Sequence, residues 1–147
     1  GADADLTLYE AYNLRGRLFL EQGRLEAAAE WAQRSYELLR DVTGAEESDS
    51  GEWGRYRRLL GRIAYQQGDL AIAQRHFERG VAIFQATGTH IEVGRTAYWS
   101  GLVALDLDEP DRAREAFLSA KGMFEQLGAA ADLMKVKQQL ARLPDPE

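Results

Sequence analysis

The chain has 147 residues, 45% of them hydrophobic and 29% charged, with a formal net charge of -6. That balance excludes a disordered chain, the absence of cysteine excludes disulfides and thiolate chemistry, and the acidic total argues against nucleic-acid or anionic-membrane binding, both of which need a basic face. The charge is uneven: residues 1–54 hold 12 acidic and 5 basic side chains, residues 55–147 hold 12 and 13. No apolar run reaches the length of a bilayer span and no signal-peptide pattern occurs, so a cytoplasmic location is expected. The length suits one domain over 1–147. The opening Gly1-Ala2-Asp3, without methionine, reads as a tag scar followed by a piece of a longer chain.

Helical spacing runs throughout, and only Pro110, Pro144 and Pro146 interrupt it. A first helix is expected over about 6–22, turning at Gln22-Gly23-Arg24, and a second over about 25–43, stopped by a left-handed Gly44. Residues 44–51 form an acidic loop, the longest connection and the one expected to be most mobile. Helices then follow over about 52–67, with its turn at Gln67-Gly68-Asp69, about 70–86, ending before Gly88, and about 91–107. Pro110, free of any need for its missing N–H, opens a sixth helix that ends at Gly128. A last helix over about 130–143 carries Leu133, Val136, Leu140 and Leu143 on one stripe, the pattern of a cap. Short connections make neighbours antiparallel, giving three hairpins (about 6–44, 52–88 and 91–128) and a closing helix.

Small residues keep one register in all three. Gly16, Gly23, Ala28 and Gly44 mark the first hairpin, Gly61, Gly68, Ala73 and Gly88 the second, and Gly101, Asp108, Ala113 and Gly128 the third. The step from first mark to third is twelve residues each time. A fixed period of this kind signals stacked copies of one unit. A mid-helix glycine costs about 1 kcal/mol against alanine, so backbone contact with the partner helix is the expected compensation. Phe19, Trp31, Tyr65, Phe77, Phe84, Phe117 and Phe124 are expected to fill the remaining space, and Trp31 and Trp53 to pack.

The register resembles the tetratricopeptide repeat over about residues 6–128. The best copy reads Leu60-Gly61, Tyr65, Gly68-Asp69, Ala73, Phe77; the third keeps Gly101, Ala113, Phe117 and Ala120; the first keeps Gly16, Phe19, Gly23 and Ala28 but has Ala32 where an aromatic is expected. Two departures are the interval, 45 residues from Gly16 to Gly61 and 40 from Gly61 to Gly101, and the replacement of a closing proline by Gly44, Gly88 and Gly128. Long repeats ending in patterns such as Phe124-Glu125-Gln126-Leu127-Gly128 are similar to those of bacterial signalling ATPases, large transcription activators and kinesin light chains. The resemblance implies an all-α, right-handed α-solenoid of three helical hairpins plus a C-terminal capping helix.

It also implies a concave face lined by the first helix of each repeat. Carried onto this sequence, the lining positions are Glu10, Asn13, Arg17 and Leu20, then Arg55, Arg58, Arg62 and Tyr65, then Arg95, Tyr98, Leu102 and Leu105, with Trp99 adjacent. Positions 55, 58, 62 and 65 also share one helical face by spacing alone. The set is basic, with only Glu10 opposing it. Two readings of the arginines stand: a groove for an acidic, partly hydrophobic peptide or a free C-terminal carboxylate, or a solvated face on which Arg58 or Arg62 pairs with Glu10, Glu21 or Glu52. Adjacent Tyr98 and Trp99 cannot both face the groove squarely, so one of them packs.

Chemistry for catalysis is thin. His76 and His90 stand apart with no cysteine to help bind zinc. Lys121, Lys135 and Lys137 belong to no phosphate loop, and no serine sits in a nucleophile elbow. Glu46-Glu47 lies in the exposed loop, and Asp106, Asp108, Glu109 and Asp111 have the wrong spacing for a calcium loop. The expectation is a non-enzymatic protein–protein interaction module, without cofactor or metal, that holds an acidic or amphipathic peptide. The alternatives are self-association through solenoid ends and an effector-sensing segment of a larger signalling ATPase or transcription regulator.

Overall fold

The computed structural model describes residues 2–44, 48 and 50–145, with side chains from residue 4 onward. Seven helices occur among them: α1 (Ala2–Glu21), α2 (Leu25–Thr43), α3 (Gly51–Gln66), α4 (Leu70–Thr87), α5 (His90–Asp106), α6 (Pro110–Leu127) and α7 (Ala130–Arg142). Only α1 departs noticeably from the sequence reading, starting four residues early. Alanine propagates a helix well, and Asp5 suits its positive end. Half of the acidic connection, including Glu46 and Glu47, lies outside the described residues.

Helices α1–α2, α3–α4 and α5–α6 pair as hairpins, and each hairpin packs on the next, with α7 against α6. The buried residues accordingly form a series of local clusters along the stack, as expected when each repeat touches mainly its neighbours. The fold is an all-α helical solenoid.

Gly44, Gly88 and Gly128 adopt left-handed conformations (φ 69°, 71° and 68°) that end α2, α4 and α6. Within the hairpins the turns use Gly23 and Gly68, but the third places Asp108 at φ 58°. A side chain there costs about 1 kcal/mol. Asp108→Gly is therefore expected to raise the melting temperature by about 2–4 °C, as read by thermal circular dichroism.

Gly54, Gly61, Gly94 and Gly101 make room for rings rather than for bare backbone, which corrects the expectation above for Gly61 and Gly101, whereas a Cβ on Gly16 would lie 3.5 Å from the Ala28 carbonyl oxygen of the partner helix. A Cβ on Gly61 would sit 2.6 Å from the Phe77 ring, and one on Gly54 or Gly94 would sit 2.7 Å from Phe84 or Phe124. Gly101 meets Phe117 in the same way. All four phenylalanines are essentially fully buried. The first hairpin reverses the sizes. Its α2 carries Ala32 and Leu39 at the positions of Phe77 and Phe84, and α1 supplies the bulk through fully buried Tyr9. Leu59, from α3, closes over Gly16. Leu59 thus stands in for the missing aromatic at position 32, and Tyr9 for the one missing at position 39.

Candidate functional site

The odd-numbered helices α1, α3, α5 and α7 contribute to one shared groove of about 420 Å³. Its walls are Arg17, Leu18 and Glu21 of α1, Arg58 and Arg62 of α3, Arg95, Tyr98 and Trp99 of α5, and Asp132 and Lys135 of α7, with Phe124 of α6 beneath. Of the twelve expected lining positions, five lie here: Arg17, Arg58, Arg62, Arg95 and Tyr98.

The other seven, Glu10 and Leu105 among them, lie outside the groove lining. Leu20 is fully buried in the α1–α2–α3 cluster and has no surface to offer. Asn13 donates its amide to the Tyr9 hydroxyl at 3.4 Å. Arg55 stands 3.9 Å from Glu52 on its own helix, outside the groove lining. Tyr65 donates its hydroxyl to Asp106 at 2.6 Å, and burial, then that hydrogen bond, pushes its pKa up. Leu102 packs into the α5–α6–α7 cluster. The resemblance carries over a face of each first helix, which cannot separate the rim of that face from its buried edge. Of the adjacent aromatics, both Tyr98 and Trp99 reach the groove, and Trp99 also stacks on Phe77 at 6.1 Å between ring centres.

The arginines are not unopposed. Arg58 donates to Glu92 at 2.7 Å and to the Thr96 hydroxyl at 3.3 Å, and both partners of this ion pair are largely buried. Arg95 lies 3.6 Å from Glu92 and 3.4 Å from Asp132. Arg62 is 4.0 Å from Glu21, and its guanidinium covers the Trp99 ring at 4.8 Å. Burial lowers the Arg62 pKa from its ordinary value; Glu21 opposes that shift, and the positive charges of Arg58 and Arg17 add to it. The buried Nε of Arg62 has no hydrogen-bond partner. Among the described residues Arg17 and Lys135 form no ion pair. The groove therefore combines two uncommitted cations with a half-exposed Arg95 and an aromatic surface. Five cations face three carboxylates, Glu21, Glu92 and Asp132.

The sequence reading missed Glu92, Asp132 and Lys135, yet a signal existed. The 40-residue interval that links Gly61 to Gly101 also links Glu52, Glu92 and Asp132, and links Arg55, Arg95 and Lys135. Reading the last helix only as a cap hid its contribution to the groove.

Among the described residues no cluster of three histidine or acidic side chains is placed to hold a metal, and no helix is long and apolar enough to cross a membrane. A family model described as tetratricopeptide repeat matches residues 8–43 and 58–132. No curated protein sequence matches the chain.

Proposed function

The chain belongs to the tetratricopeptide repeat family, whose repeats mediate protein–protein interactions, and we propose that it is a non-enzymatic module whose groove holds an acidic, amphipathic peptide segment. The observation that carries this reading is the pair of cations, Arg17 and Lys135, that line the groove from α1 and α7 and form no ion pair among the described residues. Between them Arg62 feels the positive charges of Arg58 and Arg17, and an incoming carboxylate relieves that repulsion while accepting charge-assisted hydrogen bonds. Trp99, Tyr98 and Leu18 supply the surface for apolar side chains. The groove volume falls in the range of small-ligand and peptide clefts.

A short synthetic peptide alternating glutamate and leucine is the probe, with a lysine–leucine peptide as control. Calorimetric titration is expected to detect the acidic peptide only. Its affinity should weaken with added salt, because the contacts lie near solvent. Arg17→Glu and Lys135→Glu should each lower affinity about ten-fold, on the order of 1.4 kcal/mol. Equal binding of the two peptides, or unchanged affinity in both variants, would overturn the reading.

A further inference from the structure

The three hairpins repeat their core but not their face away from the groove. Four positions on that face recur in register with the marker glycines and alanines. The first hairpin fills them with Tyr12, Arg15, Trp31 and Arg34, the second with Arg57, Leu60, His76 and Arg79, and the third with Ala97, Ser100, Ala116 and Ser119. In the first, the Tyr12 and Trp31 rings meet at 5.2 Å between centres. In the second, the Arg57 Nη1 lies 3.0 Å from the His76 Nδ1. Ala97 and Ala116 are too short to fill the same space. A cleft of about 250 Å³ opens there between α4 and α6, with α5 as its floor, and it shares no lining residue with the groove.

The cleft pairs an apolar lining with an excess of acceptors. Val81, Ala97 and Ala116 supply the apolar part, while Glu78 from α4 and Glu115 from α6 stand on opposite walls. Its one cation, Arg112, is already engaged. It bonds Glu78, donates to Glu109 at 3.1 Å, and gives its Nε proton to the side-chain oxygen of buried Gln74 at 3.1 Å. The Glu115 carboxylate forms no ion pair among the described residues. Ser100, only 8% exposed, lines the cleft with a hydroxyl that reaches the Gln74 amide at 3.5 Å, the limit of a hydrogen bond. Two carboxylates thus face one cation that a third carboxylate, Glu109, also claims.

We propose that this cleft receives an arginine side chain presented by a partner protein, at a site separate from the acidic-peptide groove. The methylene stem of that arginine lies against Val81, Ala97 and Ala116, and its planar fork of donors faces acceptors on both walls. A lysine ammonium is a point charge and meets one wall only. The volume is below the range of about 300–1,000 Å³ for clefts that hold drug-sized ligands, which suits one long side chain rather than a whole peptide.

N-acetyl-arginine amide is the probe, and N-acetyl-citrulline amide, of the same shape without the charge, is the control. In a nitrogen–proton correlation spectrum the arginine compound should shift the backbone amides of Ser100, Glu115 and Ser119 saturably. A ligand of this size gives about millimolar affinity. The Trp99 indole signal should stay unmoved, and the citrulline compound should shift nothing. Glu115→Gln is expected to weaken binding about three- to five-fold. Ala116→Trp, which restores the residue type of the first hairpin, should abolish binding by filling the cleft. Glu115 is exposed, so its variant decides alone if Ala116→Trp loses its helical signal. Equal shifts from the citrulline compound would overturn the proposal, as would the lack of a saturable shift with the arginine compound or undiminished affinity in Glu115→Gln. Failure here leaves the groove reading intact, because the two sites share no residue and are read with different probes.

Discussion

Arg58→Glu is expected to unfold much of the chain rather than merely abolish ligand capture. The sequence alone offers Arg58 as a clean binding knock-out, because it sits on the arginine face of α3. In the structure its guanidinium is largely buried against Glu92 at 2.7 Å and bonds Thr96, a fully buried residue of α5. Removing Arg58 leaves the largely buried Glu92 with only the half-exposed Arg95, 3.6 Å away, as counter-ion, and breaking a buried pair costs about 3–5 kcal/mol. Placing a carboxylate beside Glu92 adds repulsion. Against a total stability of about 5–15 kcal/mol for a domain of ordinary size, this is a large fraction. Urea denaturation followed by circular dichroism measures it. Replacing both members, Arg58→Met with Glu92→Leu, should recover most of the loss, since a well-packed apolar pair at a buried ionic site is often neutral or better. A stable Arg58→Glu protein would mean that the pair contributes nothing to the α3–α5 contact.

Phe117→Ala is expected to cost about 3–5 kcal/mol. The ring is fully buried, lies directly on Gly101, and is tilted against Tyr98 at 5.8 Å between centres. Truncation leaves a cavity between α5 and α6 that the glycine, having no side chain, cannot fill. Gly101 also borders the groove helix, so the loss should loosen Tyr98 and weaken peptide binding at temperatures where the variant is still folded. The corresponding change in the first hairpin, at Ala32, has no ring to remove. That difference makes the hairpins unequal in how they fail, and denaturant curves of Phe117→Ala should show a reduced midpoint. A loss under about 1 kcal/mol, the scale of an ordinary point substitution, would contradict the ring-on-glycine account.

Much of the architecture was legible because it rests on local rules. Left-handed glycines ended α2, α4 and α6, Pro110 opened α6, and the twelve-residue step fixed the hairpins. What the sequence did not reveal was exchange of bulk between helices. Tyr9 on α1 does the work that Phe84 does on α4, and Leu59 reaches across to Gly16. Such compensation is invisible to a pattern that compares like positions only. The groove was half legible for a related reason. The family resemblance brings Arg17, Arg58, Arg62, Arg95 and Tyr98 to one face, but burial separates Leu20 and Leu102 from it. Charge pairing between helices was the other hidden element. Glu92 is an ordinary helix-start acid in sequence, and only the crossing of α3 and α5 turns it into the counter-ion of Arg58.

Three tryptophans report on three places, and that makes one measurement decisive. Trp99 lies in the groove, Trp53 is buried in the α1–α2–α3 region, and Trp31 lies outside the groove beneath Arg15 and Arg34. In a nitrogen–proton correlation spectrum each gives its own indole signal. Adding the glutamate–leucine peptide should shift the Trp99 signal progressively and saturably, with Trp31 and Trp53 unmoved. A shift of Trp31 with Trp99 unchanged would place any acidic ligand on the outer arginines, and the groove would lose its claim to be the binding face.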